Sequence, residues 1–369
     1  MGEEQMGGGG NFAALGQRLG RIKTAIALGQ PDRVPVTPFF DGVMDRFCGG
    51  SYADHFYDFQ KAGNNAITFL QKYPNVDAAC VPQFFSGVAN ELAGTRIIDW
   101  PGKPGTTIDC YSTHQIHEIP FMEQEEYPEL LADYTGFMLR KYIPRAYSNI
   151  QGTQNVYFAD GAFMDCSAIN GLYNPQTLQA LDLIRKIGEE NGKAFAATMQ
   201  FSQAMVGLGY PTMITGASQA PYDLLGDYFR GTLGIFEDIV DEDVYPMVKE
   251  VVDRFADMQI ARLQYLRFMD IPFKSIFFPL HKGMDGFINP DQYERLYLRP
   301  LMKIVDYLVS VGATPILYTE GKYDTRMEVL RDYLPKGKCI VHIESSDIAR
   351  AKQINKDGWA AVFRRTWKK

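Results

Sequence analysis

The stretch from Ser275 to His342 contains three strand-like runs: Ser275-Ile-Phe-Phe-Pro-Leu280, Thr314-Pro-Ile-Leu-Tyr318 and Lys338-Cys-Ile-Val-His-Ile343. Two amphipathic helical stretches separate the three runs. Strands that alternate with helices indicate parallel pairing, and parallel strands bring their carboxyl ends to one shared face. The stretch therefore predicts an α/β fold with a functional site along one edge of its sheet.

Each run ends in polar residues that carry chemistry, namely His281, Glu320, and His342 with Glu344. Imidazole and carboxylate groups from adjacent strands suit zinc or another divalent ion, so we predict His281, Glu320 and His342 as metal ligands. Each residue also has a simpler interpretation: a loop histidine bonded to backbone, a carboxylate that caps the next helix, and a strand-end histidine satisfied by backbone. No compact motif such as H-E-x-x-H selects between these interpretations.

The segment His281-Lys-Gly-Met-Asp285 follows an apolar strand directly. Its position predicts His281 as a proton-transfer group, with Asp285 as the carboxylate that orients the imidazole. Glu320 is predicted as either a metal ligand or a general base. His281, Glu320 and Asp285 are therefore the candidate catalytic residues.

Composition restricts the classes of partner. The chain has 369 residues, of which 46% are hydrophobic and 22% charged, and its net charge is −7. These values are typical of a globular protein with a large core. Because no dense Lys/Arg run occurs, we expect no nucleic-acid partner, and because no apolar run approaches about 18 residues, we expect no membrane span. Five widely spaced cysteines without a C-x-x-C motif predict reduced thiols in a cytoplasmic protein.

The sequence predicts a disordered leader over residues 1–14 and a single barrel domain over residues 15–369. Val34–Pro38 and Pro211–Thr215 are predicted as further strands of the main sheet. The region 95–120 holds short strand-like runs split by turn residues, which predicts an antiparallel β excursion.

Aromatic residues are dense between positions 39 and 59, where the chain has one arginine, no lysine and four aspartates. Some of these rings must lie in the core, and a minority are predicted to line an apolar pocket near Asp41. Phe40, Asp41, Tyr222 and Tyr318 are the candidate substrate-binding residues. The charge pattern disfavours a ligand with several carboxylates.

Five segments together resemble the uroporphyrinogen decarboxylase superfamily. They are Arg21–Val36, Tyr222–Gly231, Asp285–Tyr293, Gly312–Gly321 and Asp347–Lys352. The resemblance covers roughly residues 15–355 and depends on the combination of segments. It implies a TIM-type (β/α)8 barrel with its site at the carboxyl ends of the strands.

Two branches of the superfamily differ in activity. True decarboxylases carry an arginine-rich segment after the first strand, whereas this chain has Phe39-Phe-Asp-Gly-Val-Met-Asp-Arg46 there. The chain is more similar to the branch that moves methyl groups between small molecules and a corrinoid on a separate protein, often with zinc. The zinc motif "his-x-cys-gly" of that branch aligns with Tyr318-Thr-Glu-Gly321. Oxygen thus replaces the soft thiolate, which favours a methyl ether donor over a thiol acceptor.

The resemblance implies a metal-assisted methyltransferase that passes a methyl group from a small molecule to a Co(I) corrinoid on a partner protein, and it suggests a homodimer. One alternative is a decarboxylase-like or lyase-like enzyme without a corrinoid that uses Asp41, Asp285 or His281 as acid or base. Another is a catalytically incomplete barrel that binds a ligand or a partner. Only Trp359–Phe363 can supply a strand after Lys352, so we expect a barrel that is incomplete at its C-terminus.

Overall fold

A computed structural model describes residues 11–38, 42–78, 84–158, 166–344, 348–355 and 360–363. Its strands are β1 (Ile98–Asp99), β2 (Gln115–Ile116), β3 (Gly216–Ala217), β4 (Ser275–Leu280), β5 (Thr314–Lys322), β6 (Ile340–Glu344) and β7 (Ala360–Phe363). β1 pairs antiparallel with β2, which confirms the excursion predicted over residues 95–120. The other five form one parallel sheet in the order β3-β4-β5-β6-β7. An α/β fold with parallel strands is therefore confirmed.

The helices surround this sheet and connect its strands. In chain order they are α1 (Phe12–Ile26), α2 (Val43–Phe47), α3 (Asp54–Tyr57), α4 (Phe59–Lys72), α5 (Gly87–Ala93), α6 (Tyr127–Ala132), α7 (Tyr134–Phe137), α8 (Ile143–Ala146), α9 (Pro175–Gly207), α10 (Pro221–Leu225), α11 (Gly231–Asp238), α12 (Tyr245–Arg262), α13 (Pro290–Gln292), α14 (Arg299–Ser310), α15 (Met327–Tyr333) and α16 (Ile348–Asn355). Three π-helical segments among the described residues, Met138–Tyr142, Gly226–Arg230 and Tyr293–Leu298, continue α7, α10 and α13.

The outer face of the sheet packs against helices in the main core. Ile276, Phe278 and Leu280 alternate along β4 and are fully buried. The amphipathic α14 covers this layer with a stripe that includes Ile304 and Leu308, also fully buried. Each such side chain contributes about 1.5–3 kcal/mol of burial energy. A Leu280→Ala substitution should cost about 2–5 kcal/mol, because a cavity would remain behind.

The opposite face of the sheet packs against α1 near the amino ends of the strands. Phe277, Ile316 and Ile340, near the amino ends of their strands, pack against Leu15 and Leu19 of α1. The apolar residues of α1 recur at helical spacing, which is why this helix covers the sheet here. The carboxyl ends of the strands remain open for a site.

Several predicted elements differ from the observed ones. α1 begins at Phe12, inside the predicted leader, and residues 1–10 lie outside the described ranges. Val34–Pro38 forms no strand, since only one backbone hydrogen bond joins it to Asp77, from the Asp77 N–H to the Val36 carbonyl. Two prolines in that segment remove ladder donors. β3 is two residues long and follows the predicted strand Pro211–Thr215 instead of coinciding with it.

No helix in the part of the chain that the structure describes is long and apolar enough to cross a membrane.

Candidate active site

Side-chain alternation brings His281 and Glu320 to the wall of one cavity. Phe277 and Pro279 line it from β4, and His281 continues the same two-residue spacing just beyond the strand. Tyr318 and Glu320 show this spacing on β5 and line the same cavity. Because β4 and β5 are adjacent and parallel, their carboxyl ends place both polar residues at one edge of the sheet.

The cavity has a volume of about 1740 Å³. Its wall is mainly apolar and rich in aromatic rings, which include Tyr52, Phe85, Tyr228, Phe255, Phe277, Phe287 and Tyr318. Among the described residues, the ionisable side chains in the wall are His55, His114, Glu118, Tyr134, Arg262, His281, Lys282 and Glu320, besides the tyrosines just named. An apolar cavity with a few polar groups at one end is typical of a small-molecule site.

Both ring nitrogens of His281 contact carboxylates. Nδ1 lies 2.9 Å from Oδ2 of Asp227, and Nε2 lies 3.3 Å from Oε2 of Glu320. Burial alone would lower the pKa of His281, but the hydrogen bonds to Asp227 and Glu320, together with the charge of Asp223, raise it to about 10. His281 is therefore an imidazolium at neutral pH, with a proton on the Nε2 that faces Glu320.

The loop that carries His281 is fixed by the buried carboxylate of Asp223. Asp223 accepts hydrogen bonds from the backbone N–H of His281 at 3.0 Å and of Lys282 at 2.8 Å, and from the hydroxyl of Tyr297 at 2.6 Å. Burial and the nearby charge of Asp227 raise the pKa of Asp223 to about 6. Asp223 and Asp227 are four residues apart on one helical stretch, so they share a face toward the loop.

Lys282 supplies a second buried cation beside His281. Its side chain is 2% exposed, and Nζ lies 2.7 Å from Oδ1 of Asp227 and 3.2 Å from Oε1 of Glu118. It also donates to the hydroxyl of Thr232 at 2.8 Å. Burial lowers the pKa of Lys282, but the charges of Asp227 and Glu118 and the hydrogen bonds to them together outweigh burial, so the pKa is raised. Glu118 follows β2, so the antiparallel excursion reaches the site through this contact.

Asp285 lies on the same loop but has other partners. Its carboxylate accepts from the backbone N–H of Thr325 at 3.1 Å and from the Thr325 hydroxyl at 2.6 Å. Its backbone N–H donates to the Lys322 carbonyl at 2.8 Å. Asp227, and not Asp285, is the carboxylate on Nδ1 of His281, which corrects the predicted orienting role.

The third predicted metal ligand, His342, packs against an aromatic ring. It pairs in register with Tyr318, and the two rings stack with centroids 4.0 Å apart. Within the described ranges, no group of three or more His, Cys, Asp and Glu side chains is arranged to hold a metal ion. The three residues predicted to bind zinc or another divalent ion are therefore not assembled as one ligand group among the described residues.

The predicted substrate-binding residues divide into three cases. Tyr318 lines the cavity. Tyr222 is fully buried in the main core and packs edge-on against Tyr297, so it contributes to the fold and not to the cavity wall. Phe40 and Asp41 lie outside the described residues.

Sequence inspection missed Asp223, Asp227 and Lys282. The two aspartates carry a signal that was available, because acidic residues four apart at the start of a helix share one face. Lys282 follows His281 directly, but its burial depends on tertiary contacts that no local pattern reveals. His55, which also lines the cavity, is not among the predicted site residues.

No protein family model matches the chain, and no curated protein sequence matches it. Among solved structures, a methyltransferase from Methanosarcina mazei superimposes with a TM-score of 0.51 at 13% sequence identity. The match covers 94% of this chain and 81% of that chain. The chain shares its fold with that methyltransferase.

Proposed function

We propose that this protein is a methyltransferase that takes a methyl group from a small molecule, with a methyl ether as the donor, and passes it to a Co(I) corrinoid on a partner protein. The observation that carries the proposal is the doubly hydrogen-bonded His281 imidazolium on the wall of a large aromatic cavity. The fold shared with a methyltransferase supports the same reaction class.

An ether is a poor methyl donor because its oxygen leaves with a negative charge. His281 removes this obstacle if Nε2 donates its proton to the ether oxygen while the methyl C–O bond breaks. The electron pair of that bond stays on oxygen, which departs as a hydroxyl group. Glu320, whose side chain is 50% exposed, can then return a proton from solvent to His281. Asp227 keeps the ring oriented throughout.

The methyl acceptor must supply the electron pair for the new bond to carbon, and a Co(I) corrinoid supplies such a pair when bound. Small-molecule pockets usually measure about 300–1,000 Å³. The cavity of about 1740 Å³ exceeds this range, so it leaves room for a donor and for part of a cofactor that a partner brings.

We also propose that β3 to β7 belong to a TIM-type (β/α)8 barrel of the uroporphyrinogen decarboxylase type. Parallel strands in sequence order, with the candidate site at their carboxyl ends, support this architecture. The antiparallel pair would then be an insertion that reaches the mouth of the barrel.

The deciding experiment measures demethylation directly. The protein is incubated with chemically reduced cob(I)alamin and a panel of aryl methyl ethers, methanol, methylamines and methyl thioethers, and the demethylated product is quantified by mass spectrometry. We expect turnover of ethers, and at least about a 100-fold loss in His281→Gln, because general acid catalysis contributes about 10²–10⁴-fold.

Asp285→Asn is the matched control, since Asp285 lies on the same loop and bonds to Thr325. Turnover of none of the donors, or full activity in His281→Gln, would reject the proposal. Metal content is measured on the same samples, after purification without chelators. A stoichiometric metal whose removal abolishes turnover would replace the proton-donor mechanism with a metal-centred one.

A lyase or decarboxylase is the second candidate, and the paired cations favour it. His281 and Lys282 lie side by side in the cavity wall and would attract a carboxylate. Release of carbon dioxide from a carboxylated substrate without any corrinoid would select this alternative over methyl transfer.

A further inference from the structure

The cavity is longer than the site around His281. Phe273, Phe277, Pro279 and His281 all line it, so it follows β4 beyond both ends of the strand. From Phe273 to His281 the chain advances eight residues, which corresponds to about 26 Å at roughly 3.3 Å per residue. The proposed methyl transfer needs only the end at His281, so the opposite end has no role in that reaction.

The helix α9 gives a second measure of this length. Phe195, Met199 and Val206 of α9 line the same cavity, and the eleven residues from Phe195 to Val206 rise by about 16 Å at roughly 1.5 Å per residue. Phe195 and Met199 are 68% and 43% exposed, although both belong to the cavity wall. Large exposed apolar side chains along a concave surface mark a site for an apolar ligand, and methionine adapts to a flexible one.

Four apolar side chains form the floor of the cavity, at the end opposite His281: Leu15, Val206, Ile214 and Phe273. They belong to one hydrophobic cluster, and Ile214 and Phe273 directly precede the amino ends of β3 and β4. His281 and Glu320 lie near the carboxyl ends of β4 and β5. The cavity is therefore polar at one end and apolar at the other, which matches a ligand with a polar head and an apolar chain.

We propose that the cavity binds a molecule with a long unbranched alkyl chain. The polar head of this ligand lies at His281 and Glu320, and its chain runs along β4 and α9 to the floor. Burial of each methylene group against the apolar wall supplies the affinity. The inference goes beyond the proposed function, because it concerns the end of the cavity that methyl transfer does not use.

The test measures dissociation constants of the straight-chain 1-alkanols from butanol to decanol by calorimetry, without any methyl acceptor. Because each added methylene becomes buried, we expect binding to tighten by about fourfold per carbon, with one alkanol bound per protein. No binding of decanol, or an affinity that does not depend on chain length, would overturn the inference.

Val206→Phe and Ile214→Phe each fill part of the floor with a larger side chain. We expect either variant to weaken decanol binding at least tenfold and to leave butanol binding within about twofold, because only the longer chain reaches the floor. Val240→Phe is the matched control, at a valine that is 75% exposed and outside the cavity wall, and it should bind both alkanols like the intact protein.

Circular dichroism and urea unfolding show which variants keep the native fold. The two floor positions belong to different segments, and the chain-length series in the intact protein decides the question without any variant. Unchanged decanol affinity in a folded floor variant would also overturn the inference. A chain-length dependence in a protein that demethylates no donor would reject the proposed reaction and leave the alkyl-chain site standing.

Discussion

Replacing Asp227 by Asn tests the electrostatic basis of the site most directly. The change keeps the shape of the side chain but removes the negative charge 2.9 Å from Nδ1 of His281. An opposite charge at such a distance shifts a pKa by about 1–3 pH units. Since the pKa of His281 is about 10 in the intact protein, we expect it to fall to between about 7 and 9 in Asp227→Asn.

The sign of the effect on stability follows from the direction of the shift. The pKa of His281 is raised from 6.5 to about 10 on folding, so its contribution is full below pH 6.5 and is lost as the pH rises through 10. The 3.5-unit difference corresponds to at most about 5 kcal/mol at 1.36 kcal/mol per unit. Asp227→Asn should therefore lose about 1.4–4 kcal/mol near pH 7 from this source, and the loss should shrink above pH 10.

The assay is an NMR titration of the histidine Cε1 protons, supported by urea unfolding at several pH values between 6 and 10.5. Asp285→Asn is the control, because its carboxylate accepts from Thr325 and should leave the pKa of His281 unchanged. A wild-type His281 that titrates near 6.5 would refute the reasoning. So would an Asp227→Asn variant whose His281 still titrates near 10, or a control that lowers this pKa equally.

Three further predictions concern stability, and urea unfolding measures each of them. Lys282→Met should cost about 3–5 kcal/mol because it leaves buried carboxylate charge unpaired, whereas Lys303→Met, at an exposed ion pair, should change stability by less than about 1 kcal/mol. Gly321 and Gly286 both have a positive φ, but only a Cβ at Gly321 meets a side-chain sulfur at 3.1 Å, so Gly321→Ala should be the more destabilising; equal losses would contradict the contact argument. Tyr222→Phe should stabilise the protein by up to about 1 kcal/mol, since the buried Tyr222 hydroxyl has no partner among the described residues. Ligand affinity should stay unchanged, and weaker ligand binding by this variant would show that Tyr222 contacts the ligand.

The convergence of His281 and Glu320 was predictable because it depends on short-range rules. Both residues follow apolar runs of neighbouring parallel strands, and two-residue alternation determines which face each one occupies. Their 3.3 Å contact confirms that geometric prediction. The chemical role could not be predicted in the same way, because it depends on Asp227, which arrives from a helix more than 50 residues earlier in the chain.

The predictions for Asp285, Tyr222 and the strand near β3 differ from the structure for one reason. Tertiary contacts, and not the local sequence, determine the surroundings of these residues. Asp285 is close to His281 in sequence, but its carboxylate accepts a hydrogen bond from Thr325 instead. The chain turns at the next residue, Gly286, which has a φ of 88°. Tyr222 has an aromatic ring with a polar tip, which fits a pocket wall or a core equally well from sequence alone. Only the packing around α10 decides between them. The short β3 shows the same dependence, since its two residues pair with β4 and carry little strand signal themselves.

His281 and His55 show how tertiary contacts give one residue type different surroundings in the wall of one cavity. Two carboxylates contact His281, one at each nitrogen. One carboxylate contacts His55, at Nε2, and Nδ1 of His55 is buried without a hydrogen-bond partner among the described residues. The partners of both rings come from other parts of the chain, so no local sequence pattern distinguishes the two histidines.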